Sequence, residues 1–183
     1  LLTPFLWKHR STILSFSKKK WLNIFAISSV SSVLGTILFT AALAKSFALH
    51  DFASPVLLQK LQPLFVILLA RFALRERISL HYVLLLPAVF IGSYLVSFGA
   101  SPVSLVFDQR VVVYLLAVGA AAAWGSGTVL SRAFLKDVHY ELATSLRFAA
   151  AVPISLIVAL IMSSKITFST ISLFDISYLV IIA

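Results

Sequence analysis

Four polar or helix-breaking residues fall close together in one apolar stretch: Gln59, Lys60, Gln62 and Pro63, within Ser54-Pro55-Val56-Leu57-Leu58-Gln59-Lys60-Leu61-Gln62-Pro63-Leu64-Phe65. At 100° per helical residue they occupy an arc of about 160°. Pro63 has no N–H to give the Gln59 carbonyl, so that oxygen is freed on the same face. One ammonium, two amides and a bare carbonyl can hold a solute by hydrogen bonds and charge. The alternative is that Lys60 bonds carbonyls of a neighbouring helix and fixes packing only.

The surroundings of these residues are set by composition. Of 183 residues, 61% are hydrophobic and 11% charged. A soluble domain is nearer 45–50% apolar and about 25% charged. Ordinary water-soluble globules, disordered tails and fibres are thereby excluded. The useful unit is a membrane span of about 20 apolar residues. Five can be read: Trp21–Ala44, Phe52–Leu74, Leu80–Phe98, Val111–Ser131 and Leu142–Met162. Short connections between them require antiparallel neighbours. The fold class is all-α, a polytopic helical membrane bundle with the lipid bilayer as its solvent. Leu1–Trp7 reads as the end of an earlier span and Ile176–Ala183 as an interrupted one, so a piece of a longer protein is expected.

At mid-span, a lysine facing lipid costs roughly 2.5–3.5 kcal/mol or more. Lys60 is therefore expected to face the bundle interior or a wet cavity. Arg147 and Arg71 lie nearer the ends of their spans, where snorkelling to the interface explains them. Trp124, Ser126 and Thr128 offer an aromatic ring and two hydroxyls in the middle of Val111–Ser131. They can line a cavity, or the hydroxyls can bond back within their own helix. Small residues four apart (Ser28 and Ser32, Ser31 and Gly35, Ala117, Ala121 and Gly125, Gly119, Ala123 and Gly127) let helix backbones approach. They place Trp21–Ala44 and Val111–Ser131 inside the bundle. Pro87 and Pro153 sit inside their spans as shape elements or hinges.

Lysine and arginine number 15 against 6 acidic residues, a net charge of +9. Counted by loop, ten lie in 7–21, 71–81 and 132–141 and three in the alternate loops (Lys45, Arg110 and Lys165). The positive-inside rule places the first three loops in the cytoplasm of a cell-membrane protein. The basic excess is topological, and no nucleic-acid partner is implied. Absence of cysteine excludes disulfides, thiolate metal sites and cysteine nucleophiles. Asp137, His139 and Glu141 do not share a helix face or match a metal motif. No phosphate loop or nucleophile elbow is found. No enzyme, cofactor or metal is expected. An intramembrane enzyme or a non-transporting scaffold is the alternative from another class.

From Ala44 to Phe98 the chain resembles the EamA-type family of drug/metabolite transporters. The features that carry this are Leu61-Gln62-Pro63-Leu64-Phe65 in mid-span, Leu74-Arg75-Glu76-Arg77-Ile78-Ser79 at the span's end, and an apolar helix bearing Gly92. Ala121-Ala122-Ala123-Trp124-Gly125-Ser126-Gly127-Thr128, followed by Arg132, resembles the opening helix of the family's second half, and Thr144–Phe148 the start of the next. The resemblance implies a ten-helix transporter of two inverted five-helix halves. Residues 1–98 would close the first half, 99–110 connect, and 111–183 open the second. It implies transport of a small-molecule solute through a central cavity lined by Gln59, Lys60, Gln62 and Pro63, with Trp124 opposite. A nucleotide-sugar or phosphate-ester exchanger shares the architecture. Glu76 would tie down the cytoplasmic turn.

Overall fold

A computed structural model describes residues 6–51, 53–75, 77–99, 109–135 and 138–162. The elements are α1 (Arg10–Leu14), α2 (Lys18–Ala48), α3 (Ala53–Gln59), α4 (Gln62–Ala73), α5 (Leu80–Phe98), α6 (Gln109–Phe134) and α7 (Tyr140–Ile161). No strand occurs among the described residues. Among the described residues, four stretches are long and apolar enough to cross a bilayer: Lys18–Ala48, Ala53–Ala73, Arg110–Arg132 and Tyr140–Ile161. The 19-residue α5 adds about 28 Å of apolar helix. The chain is an all-α membrane bundle.

Two of these spans differ from regular helices. The stretch Lys18–Ala48 outruns the expected Trp21–Ala44, and its middle, Ile27–Leu34, is wound as a π-helix. The span read as Phe52–Leu74 is cut in two by a turn at Lys60 and Leu61. By contrast, α5 and α7 continue through Pro87 and Pro153.

The central element is α6, which packs on α2, α3 and α4. Its small residues are the reason. A Cβ on Gly127 would overlap Ser31, and one on Gly119 would lie 3.4 Å from Leu38. These pairs run in opposite chain directions, so α2 and α6 are antiparallel. Toward α3 and α4, Tyr114 bonds Asp51, and Gly125 meets Gln62 and Phe65. Those pairs advance together, so the split span lies parallel to α6. The stripes at Ala117, Ala121, Ser28 and Ser31 are buried as expected for close helix approach.

Two apolar clusters hold the bundle. Ile24, Ile27, Phe134, Val138, Leu142 and Leu146 join α2, α6 and α7 at one end. Ala42, Leu58, Leu61, Val113, Ala117 and Ala121 join α2, α3 and α6 farther along. Phe72, Leu84, Ile91, Val152 and Ile161 point outward and are well exposed, as side chains that meet lipid do. The Phe16 ring stands edge-on to Phe134 at 6.0 Å, and the Lys20 ammonium lies 5.2 Å from the Phe16 centroid. The basic start of α2 therefore adjoins the end of α6.

Candidate functional site

The break between α3 and α4 begins with three-residue hydrogen bonds. The Lys60 N–H donates to the Leu57 carbonyl at 2.9 Å, and the Leu61 N–H to that of Leu58 at 3.0 Å. Pro63 falls in the first turn of α4, where a missing N–H costs nothing. The chain thus stops one helix and starts another in mid-span, which puts irregular backbone at membrane depth. Such backbone is tolerated only inside protein or against a water-filled cavity.

A cavity of about 650 Å³ lies there. Gln59, Lys60, Gln62 and Pro63 line it, followed by Val66, Ile67, Ala70 and Arg71 down one face of α4. Thr128 and Arg132 of α6 line it too, with Arg77, Ile78 and Ser79 from the loop into α5 and Tyr82 from the first turn of α5. Gln59 and Gln62 are half-buried and Lys60 is exposed. Four cations (Lys60, Arg71, Arg77 and Arg132) share this cavity with no carboxylate among its described lining residues. Lys60 and Arg71 are separated by eleven positions, ~16 Å of helix rise. Positive charge therefore extends from mid-depth to the mouth.

Of the residues singled out in the sequence, five meet at the cavity: Gln59, Lys60, Gln62, Pro63 and Thr128. Thr128 also donates to the Trp124 carbonyl at 3.1 Å within its own helix. Trp124 turns toward α2, where its ring lies 5.3 Å from Phe39 and its Nε1 would stand 2.7 Å from a Cβ on Gly35. Ser126 donates to the Ala123 carbonyl at 2.7 Å. Neither is among the lining residues. Sequence reasoning did not assign Arg77, Ser79, Tyr82 or Arg132 to a site, because their loops read as topological signals. Arg71, which the sequence reading gave to snorkelling, lines the cavity; its helix angle, nearly that of Lys60, was the signal that could have placed it there. The stripe Pro63, Val66, Ile67 and Ala70, spaced i, i+3, i+4 and i+7, was a further such signal. Glu76 lies outside the described residues.

Arg147 corrects the sequence reading. It does not snorkel: its Nε donates to Ser32 Oγ at 2.8 Å and its terminal nitrogen to Ser31 Oγ at 3.2 Å. The Ser28 hydroxyl donates to the Arg147 carbonyl at 2.9 Å. All three serines belong to the π segment of α2, and their i, i+3, i+4 spacing puts them on one face of the helix. Local hydroxyl acceptors inside the bundle outcompete the aqueous interface.

Comparison with known proteins agrees with this architecture. The profile of the EamA-like transporter family matches residues 1–98. A protein named riboflavin transporter ImpX, from Fusobacterium nucleatum subsp. nucleatum, is 32% identical over 121 residues. That match takes in 64% of this chain and 40% of the relative, so the aligned part spans about two fifths of the relative's length. No solved structure matches.

Proposed function

The chain belongs to the EamA-like transporter family, and we propose that it forms the middle of a transporter that moves a small metabolite by alternating access. In this reading residues 1–98 close the first five-helix half, 99–110 connect, and 111–183 open an inverted second half. The cavity is the solute site, and Gln59, Lys60, Gln62, Pro63 and Thr128 contact the solute. Trp124 and Ser126 shape the helix behind it. The observation that carries this is the split span, which sets Lys60 on a cavity in mid-membrane. Discontinuous helices at the midplane supply binding groups in inverted-repeat transporters generally. The basic ends of α2, α4 and α6 face the cytoplasm, so the cavity opens inward.

A solute bearing a carboxylate or phosphate suits a cavity with four cations. That charge also favours a second reading, a phosphate-ester or nucleotide-sugar exchanger. Reconstituted vesicles settle the choice. Uptake is measured with riboflavin, the solute in the relative's name, beside its phosphate ester and a set of amino acids. Lys60→Gln is expected to lower uptake of an anionic solute by on the order of tenfold, the equivalent of about 1.4 kcal/mol. Uptake that needs a counter-solute inside the vesicle supports exchange. Full uptake by a well-folded Lys60→Gln protein removes Lys60 from the site.

A further inference from the structure

The Arg147 guanidinium lies seven residues into α7, about 10 Å of helix from its start. It is half-buried. Two of its five N–H groups have serine acceptors, which leaves three to satisfy. Serine hydroxyls supply hydrogen bonds but no opposite charge. The guanidinium carbon also lies 6.0 Å from the Phe148 ring centroid, but among the described residues no carboxylate pairs with Arg147, and a partly desolvated charge without a counter-ion is costly.

Beside the guanidinium is a second cavity of about 120 Å³. Arg147, Thr144 and Ser131 give it one cation and two hydroxyls, and Ile27, Phe134 and Ala143 add apolar wall; Thr144 is exposed, so the cavity reaches the surface. At about 30 Å³ per water in the liquid it has room for roughly four waters. That is a small fraction of the 650 Å³ of the first cavity and ample for a single small ion. Since Arg147 is the one charged residue among its described lining residues, the matching charge is −1.

We propose that this α2–α6–α7 cavity is a site for a small monoanion of chloride size, which neutralises Arg147 and accepts its remaining N–H groups. The hydroxyls of Thr144 and Ser131 complete the shell. The site is separate from the solute cavity, since the two share no lining residue. Because the ion links α7 to the π segment of α2 through Arg147, its binding stabilises the packed bundle.

The test uses the protein in lipid nanodiscs, with sodium chloride titrated against sodium gluconate at constant ionic strength. Gluconate is too large for the cavity. The thermal midpoint is expected to rise with chloride and level off. At ten times the dissociation constant, the folded-to-unfolded ratio gains about tenfold by mass action. The chloride-36 binding that depends on Arg147 should amount to one site per chain. Formate, a small carboxylate, should compete with it. Arg147→Gln keeps an amide for the serines and removes the charge, and it should lose both the rise and the bound isotope. Arg147→Lys should retain part of each. Lys60→Gln should retain both in full. The proposal falls if chloride and gluconate act alike on the unaltered protein, as they would if water or a carboxylate of the chain satisfied Arg147. It also falls if Arg147→Gln keeps the chloride response, or if Lys60→Gln abolishes it.

Discussion

Gly125 sits flush against the break in the split span: a Cβ on it would lie 2.8 Å from the Phe65 Cβ and 3.2 Å from the Gln62 carbonyl oxygen. The contact is with backbone and a Cβ, neither of which can swing aside. Gly125→Ala must therefore push α4 from α6. Overpacking of this kind costs about 1–3 kcal/mol. The expected outcome is a lower thermal midpoint in detergent, together with reduced uptake, because the wall that carries Gln62 has moved. An unchanged midpoint would mean that α4 and α6 do not meet there.

Pro63 keeps the two halves of the span apart by withholding an N–H from the Gln59 carbonyl. Pro63→Ala restores that donor, and the bond from residue 63 to residue 59 can then join α3 to α4. Rejoining regularises backbone, so the thermal midpoint should hold or rise. Uptake should fall on the order of tenfold, because Lys60 is rotated and the turn can no longer act as a hinge. Stability and transport moving in opposite directions is the signature to look for. Wild-type uptake in Pro63→Ala would show that the break has no part in transport.

How much of this was legible in the sequence depended on whether one helix or several decided the outcome. The spans, their order and the buried faces of α2 and α6 followed from composition and small-residue spacing. The grouping of Gln59, Lys60, Gln62 and Pro63 survived even though the helix assumed for it is broken, because i−3 bonds at Lys60 and Leu61 tighten the turn without reversing it. Two other features could not be read from one helix at a time. The fate of Arg147 depended on where Ser31 and Ser32 lie, on a helix more than a hundred positions away. The orientation of Trp124 depended on the space left by Gly35 on a helix nearly ninety positions away.

That space yields a prediction for the α2–α6 seam. A Cβ at Gly35 would lie 2.7 Å from Nε1 and 2.8 Å from Cδ1 of Trp124. Gly35→Ala should cost about 1–3 kcal/mol, read as a lower thermal midpoint. Trp124→Ala removes the ring that causes the overlap, so the double variant should cost less than the sum of the two single changes. The two changes then fail to add, as contacting residues do, by on the order of 0.5–3 kcal/mol. Strict additivity would place the indole elsewhere.

The orientation of the bundle can be checked directly, because the chain has no cysteine to obscure a single introduced one. Ser17 precedes α2, Ala48 ends it and His139 precedes α7, and all three are exposed. With the basic ends in the cytoplasm, Ser17→Cys and His139→Cys should react with a membrane-impermeant maleimide only from the cytoplasmic face. Ala48→Cys should react only from the opposite face. Labelling of Ser17→Cys and Ala48→Cys from the same face would mean that α2 does not span. Labelling on opposite faces but in the reverse sense would keep the bundle and turn it over, so the cavity holding Lys60 would open outward.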